Sequence, residues 1–407
     1  MLSRVVPSFV LLFCLWLWPS QITPDGQLVR SEWDAAVAVG AVNERPVRLL
    51  LDTGADASGI DKEVLVALRI APQHQREALA PSGKTLVTMY EPVEIAIDGF
   101  DSIRVQPAGI DLAPFCPSGH PSFAGVAGLD VLHHQTVVIS NGVVSLQDGV
   151  PSAFRIVNTL TVGDQLDDGA KLPVSIPDLG EGPFRVDTGM MDACQLTTRL
   201  VKELIRRRCI VRAATAEFAD VRGGYTDDSY VLRELTVAGV RFRNVPVSVG
   251  QTNTIGLELL RHLNFAMDFP RRRIVIGKPL QDGVDGFAMN ASGMGVVFDV
   301  ENVLKVFAVR PDSSAQNASV QAGDVIVQLD GKNPVELSIY DIYNILARNG
   351  KTISVTLRRG RGEHRIDLPL RLPFEYPPNW AALDALQEDF EKFLEELESD
   401  LAPAAKP

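Results

Sequence analysis

The chain has 407 residues, 46% hydrophobic and 22% charged, a composition that describes a globular protein and excludes a disordered one. A formal net charge of −12 excludes nucleic acid as an expected partner. The length gives room for two or three domains, and 32 glycines with 26 prolines suit a turn-rich, largely β chain.

In chain order the first predicted element is an export signal over residues 1–20: Arg4, an apolar stretch from Val5 to Trp18, then Pro19-Ser20. The stretch is shorter than the roughly 20 apolar residues a spanning helix needs. The body is therefore expected to be exported, periplasmic or secreted. An uncleaved signal would tether it to a membrane through its N-terminus. Cys14 lacks the small preceding residue of a lipoprotein signal, and no later segment is long and apolar enough to cross a bilayer.

Residues 27–150 read as a first lobe of short strands broken by turn residues, among them Ala35–Val42, Val47–Leu51, Thr85–Met89 and Val93–Ile97. Residues 151–280 repeat the order of the first lobe. An apolar run ends in Asp-Thr-Gly (Asp52-Thr53-Gly54, then Asp187-Thr188-Gly189). A Gly-containing turn follows (Pro81-Ser82-Gly83-Lys84, then Arg222-Gly223-Gly224-Tyr225). Next comes Gly-Leu-acid-x-Leu (from Gly128, then from Gly256), and a closing hairpin (Thr136–Leu146, then Phe265–Ile276). The second half also predicts a helix over Thr197–Arg207 and strands Val231–Val237 and Val245–Val249. A spacing of roughly 130 residues is far longer than solenoid repeats, so this is a duplicated domain rather than an array.

A linker from Gln281 to Gly286 leads to a third unit, residues 290–372. It opens with Met294-Gly295-Val296 and continues through a strand region Val300–Val309 to Ala322-Gly323-Asp324. A strand Val325–Leu329, a helix Ser338–Ala347 and a hairpin Thr352–Leu357/His364–Leu368 complete it. Residues 381–401 form an acidic amphipathic helix, with eight Asp or Glu against two Lys from Ala381 onward and apolar residues at three- and four-residue spacing. It is read either as packing on the body or as binding a partner.

The two aspartates carry the chemistry. A carboxylate just past a buried strand is costly unless paired, because an isolated buried charge loses its hydration. Two that meet share a proton: at about 3 Å they cannot both ionise. Gly54 and Gly189 let the backbone turn where a side chain would clash, and Gly128 and Gly256 allow close approach beneath the loops.

Three cysteines lie beyond the signal, Cys116, Cys194 and Cys209, without metal-ligand spacing, so no metal and no cofactor is expected. Cys194 and Cys209 can form a disulfide in an oxidising compartment or remain buried thiols. Asn290 and Asn317 lie in glycosylation sequons that matter only in a eukaryotic secretory pathway. Gly-x-Ser-x-Gly and His-Glu-x-x-His are absent. His133-His134 read as packing or surface residues, and Arg206–Arg208 and Arg271–Arg273 as solvated faces.

Residues 30 to 277 resemble the retropepsin-like aspartic proteases, through Leu49–Ser58, Phe184–Gly189 and the two Gly-Leu segments. The resemblance implies a mainly β chain of two acid-protease lobes and an aspartic endopeptidase. Asp52 and Asp187 would activate water against a peptide carbonyl, with Thr53 and Thr188 bonded across the loops. It implies flaps at Gly83 and at Gly223, Gly224 and Tyr225, and a protein or peptide substrate. Met190 departs from the pattern, because the family favours a small residue after the second glycine; it stands to crowd Asp187. The third unit resembles a PDZ domain, which implies that Met294, Gly295 and Val296 bind a peptide C-terminus by strand addition. The alternative expectation is a catalytically inactive, protease-like peptide-binding or scaffolding protein.

Overall fold

The computed structural model describes residues 36–80, 83–112, 124–152, 154–161, 169–220, 223–287, 289–298, 303–337 and 339–385. The expected export signal, Cys116, Ser338 and all but the first residues of the acidic helix lie outside them. The chain is mainly β, and among the described residues no helix is long and apolar enough to cross a membrane.

In the first half, nine strands form one sheet. Its centre is the strand Arg45–Leu51, antiparallel to Val37–Val42 and parallel to the short strand Gly125–Ala127. Leu49-Leu50-Leu51 is an uninterrupted apolar run because both faces of this strand are covered. Leu49 and Leu51 point into the main core, while Leu50 points into a second core shared with the C-terminal sheet. Burying each such side chain contributes about 2 kcal/mol. The turn into the strand uses Asn43 and Glu44, both at positive φ (45° and 65°), the two-residue geometry whose twist matches a hairpin.

The second half repeats this arrangement in an eight-stranded sheet. The strand Gly180–Val186 lies antiparallel to Lys171–Ile176 and parallel to Thr254–Ile255. The helix is Thr198–Arg206, opened by Thr197, whose hydroxyl accepts from the Leu200 N–H. Two long hairpins flank the halves: Pro72–Ala80 with Gly83–Tyr90, and Ile210–Asp220 with Gly223–Val237. Pro72–Ala80 was missed as a strand because PQHQREALA carries no apolar alternation, and its cross-strand partner templates it. Val231–Val237 is only the end of a fifteen-residue strand whose polar first half extends the hairpin.

The closing hairpins of the two halves do not stay apart. Thr136–Ser140 pairs antiparallel with Phe265–Asp268, making one five-stranded sheet from both halves. Asp268 is fully buried there, accepting hydrogen bonds from Thr136 Oγ1 (3.2 Å) and Arg273 Nε (2.8 Å), with Arg271 beside it. The arginines Arg271 and Arg273 are thus ion-pair partners rather than a purely solvated face. Cys194 and Cys209 are free, buried thiols, and no disulfide joins them.

The C-terminal sheet runs in the order Met294–Phe298, Leu304–Val309, Val325–Leu329, Thr352–Arg359, Gly362–Pro369. Asp324 is buried, and the Arg359 guanidinium that grips both its oxygens (2.7 Å each) holds its carboxyl below the usual carboxylate range. Beyond this sheet the chain returns to the second half. Tyr376 donates to the Asn244 carbonyl and accepts from the Phe287 N–H, and Trp380 Nε1 donates to Asn244 Oδ1. Arg233 stacks on Trp380 and bonds Asp384.

Replacing Asp268 by Ala strands the Thr136 hydroxyl and removes the acceptor of two arginines. We expect a loss of about 2 kcal/mol in urea unfolding at neutral pH; an unchanged midpoint would show that the shared sheet does not depend on it.

Candidate acid–base site between the two halves

Each aspartate leaves the end of its central strand and is pinned by the neighbouring short strand. The Asp52 N–H donates to the Ala127 carbonyl (3.0 Å) and the Asp187 N–H to the Ile255 carbonyl (3.0 Å). Each loop then rests on its Gly-Leu segment: the Leu129 N–H donates to the Ala55 carbonyl (2.8 Å), and the Leu257 N–H to the Met190 carbonyl (2.7 Å). Gly128 and Gly256 are needed at this approach, since a Cβ on either would overlap the backbone of the loop above.

The threonines bind the halves together. Thr53 Oγ1 donates to the Val186 carbonyl (2.8 Å), and Thr188 Oγ1 donates to the Leu51 carbonyl (2.6 Å). Each hydroxyl also accepts the other threonine's N–H, at 3.2 and 3.1 Å. Both side chains are fully buried. Hydroxyls suit this lock because one group donates and accepts at once.

The lock brings Asp52 and Asp187 together. A methyl group on Gly54 would overlap the Asp187 carboxyl, and one on Gly189 would overlap that of Asp52. The Gly54 N–H donates to Asp52 Oδ1 (2.7 Å), and the Gly189 and Met190 N–H groups donate to Asp187 Oδ1 (2.9 and 2.8 Å). Burial, and then the charge of Asp187, push the Asp52 carboxyl well above the ordinary carboxylate range. Asp187 is also raised by burial, but the Met190 amide, the hydrogen bond with Asp52 and the Arg185 charge pull it back. Burial raises both carboxyls, and two carboxyls this close hold one proton between them, so the titration belongs to the pair. Each residue keeps a partly accessible face.

Met190 does not crowd the pair as its size suggested. Its amide adds a donor to Asp187 that Ala55 does not supply to Asp52, and its Cγ lies against Gly256. Chemically, a carboxyl that holds a proton beside one that accepts it can bind a water or a carbonyl and move a proton to or from it.

Three supporting groups escaped the sequence reading. Arg185, two residues before Asp187, crosses to the first half and bonds Asp56 Oδ1 (2.5 Å). Ser58 and Asp130 lock the first loop: the Asp130 carboxylate accepts from the Ser58 hydroxyl (2.6 Å) and N–H, and the Gly128 N–H donates to Ser58 Oγ. The acidic residue of Gly-Leu-acid was the available signal. In the second half the corresponding Glu258 pairs with Arg261 instead. His133 packs on Phe269, with ring centroids 5.0 Å apart.

The flap candidates Gly83 and Gly223, Gly224 and Tyr225 fall at or near the tips of the two long hairpins, whose turn residues lie outside the described ones. In the C-terminal unit, Met294 and Val296 are fully buried in the core, so their side chains cannot meet a ligand. The backbone of Met294–Phe298, an edge strand, is what a peptide would find. Among the described residues no cluster of three or more His, Cys, Asp or Glu is placed to hold a metal ion.

The PDZ domain family model matches residues 306–359, so the chain contains a PDZ domain. The match begins after Met294-Gly295-Val296. No curated protein matches the chain. Among solved structures there is a likeness to the photosystem II D1 C-terminal processing protease, at 26% identity over 19% of this chain and 22% of that chain, with a TM-score of 0.19. The match thus spans about a fifth of that protease and is too slight to carry an assignment. The expected class, an aspartic-type endopeptidase, is corrected accordingly: what the comparisons find is a PDZ domain and a protease named for C-terminal processing, and neither is of that type.

The shared proton has a thermodynamic signature. A carboxyl whose pKa is raised on folding binds more protons folded than unfolded, so stability falls as pH rises from its unfolded value through its folded one. Thermal unfolding of the wild type should therefore lose midpoint temperature from pH 4 towards neutral, and Asp52→Asn should flatten that slope and be the more stable at pH 7. A wild-type slope retained in Asp52→Asn would refute the assignment of the proton to this pair. Thr53→Val strands the Val186 carbonyl and the Thr188 N–H, and should cost about 2–4 kcal/mol by urea unfolding. The same substitution at Thr188 should match it.

Proposed function

We propose that this chain is an exported, protease-associated peptide-binding protein. It receives an extended polypeptide against the Asp52/Asp187 pair and a peptide C-terminus at its PDZ domain. The observation that carries the first half of this reading is the reciprocal Thr53/Thr188 lock, which brings the two carboxyls so close that a Cβ on Gly54 or Gly189 would overlap the carboxyl of the opposite half. A structural role alone does not call for a buried acid pair, since apolar residues of similar volume fill such a site at no greater cost. Site residues follow from it: Asp52 and Asp187 as the acid–base pair, and Thr53, Gly54, Thr188, Gly189, Gly128 and Gly256 as their supports.

The reading of residues 27–150 and 151–280 as retropepsin-like lobes is supported by the repeated order of central strand, loop, hairpin and Gly-Leu segment in the two halves. The family match within 290–372 supports the PDZ half of the proposal, and PDZ domains take peptides by strand addition. Export rests on the apolar stretch Val5–Trp18, with residues 1–20 as the signal and 381–401 as a separate acidic helix.

The test is binding of a long unfolded polypeptide, such as reduced and alkylated casein, to the full chain between pH 4 and 7, with the mass of the polypeptide followed in the same samples. Asp52→Asn and Asp187→Asn should each weaken binding at least tenfold, while binding of a short C-terminal peptide to the PDZ domain stays within twofold. Wild-type binding and pH dependence in both variants would remove the pair from the function. An unchanged mass keeps the readout one of binding.

A further inference from the structure

The helix Thr198–Arg206 turns Val201 and Leu204 into the core and a line of cations outward. Arg199, Lys202 and Arg206 recur at three- and four-residue spacing and, with Thr198 and Glu203, line an open recess of about 540 Å³. Glu203 binds Arg206 and Arg207, at 2.9 and 2.7 Å. Arg199 and Lys202, both exposed, have no ion-pair partner among the described residues. Like charges at this spacing repel, so the line gains from an anionic neighbour.

The chain beyond the PDZ unit comes to rest close to the end of this helix. The Arg233 N–H donates to the carbonyl of Cys209, three residues past Arg206 (2.8 Å). The Arg233 guanidinium in turn stacks on Trp380 and binds both oxygens of Asp384, at 2.7 and 2.8 Å. Trp380 and Asp384 belong to a helix described over 380–385. Asp384 also opens a line of its own in the sequence: Glu388, Glu391, Glu395 and Glu398 follow it at four- and three-residue spacing. In the helix expected over 381–401 these carboxylates share the side that meets Arg233. At about 1.5 Å per residue, Glu388 to Glu398 spans roughly 15 Å and Arg206 to Arg199 roughly 10 Å. A tail that runs back along the helix from Arg233 therefore has the length and the charge to cover the cation line.

We propose that the acidic tail 386–401 docks on the outer face of the helix Thr198–Arg206, with Glu388, Glu391 and Glu395 set against Arg206, Lys202 and Arg199. The two lines keep step, because both advance by three or four residues in opposite chain directions. Ile205, 47% exposed on the flank of the cation line, offers apolar surface to Leu386 and Phe390. The segment leaving the PDZ unit is thereby fastened to the second half twice: at Asn244 and Arg233, and again along this helix.

The test is amide hydrogen exchange of the full chain at low ionic strength, read over 388–398. In the wild type these amides should exchange at least tenfold more slowly than in a synthetic peptide of residues 381–401, at every protein concentration. The variant Arg199→Glu/Lys202→Glu/Arg206→Glu should lose that protection, with exchange over 171–176 unchanged as the check that the second half is folded. Glu388→Lys/Glu391→Lys/Glu395→Lys, which leaves the body untouched, should lose it equally, and combining the two reversals should restore it to within twofold. Peptide-like exchange in the wild type, or protection that grows with protein concentration, would overturn the docking. So would protection that survives either reversal, or a loss that the combined reversal does not restore.

Discussion

Everything at the centre of this molecule depends on two hydroxyls. Thr53 and Thr188 each donate to a carbonyl of the opposite half and accept the other's N–H, so neither half satisfies its own loop. The groups are buried, and a buried polar group without a partner costs more than the bond itself contributes. The two halves must therefore come together in this register or leave four polar groups stranded. Once they do, the residues just before the threonines, Asp52 and Asp187, have nowhere to go but towards each other.

The rest of the architecture reads as support for that contact. The central strands are buried on both faces, the short strands ahead of Gly128 and Gly256 hold the aspartate amides, and the shared sheet joins the halves a second time. The acid pair itself stabilises nothing: burial raises both carboxyls, and the amides of Gly54, Gly189 and Met190 offset only part of the cost. The Met190 amide gives Asp187 one donor more than the loop gives Asp52, and it belongs to the second copy of the motif.

Much of this was legible in the sequence, for identifiable reasons. Asp-Thr-Gly at the end of Leu49-Leu50-Leu51 and of Phe184-Arg185-Val186 announces a carboxylate on a turn past a buried strand, and its duplication announces a pair. The Asp324 turn and the hairpin of the C-terminal unit were equally visible, because Gly and Asp mark them locally. What escaped depends on partners distant in sequence. Pro72–Ala80 has no pattern of its own, Arg185 pairs with Asp56 across 129 positions, and the two closing hairpins merge only after the halves meet. Met190 was misjudged because its bulk is visible in sequence and the direction of its side chain is not. The aspartic-type enzyme class inferred from the motifs does not stand; what the comparisons find is a PDZ domain over 306–359.

The most direct test is a carboxyl titration of Asp52 and Asp187, followed by carbon NMR on selectively labelled protein. The account predicts two well-separated steps belonging to the pair, the later one well above the ordinary aspartate range, and its return towards that range in Asp187→Asn. Two independent titrations near the usual value of about 3.9, unaffected by that substitution, would contradict the shared proton and with it the central claim.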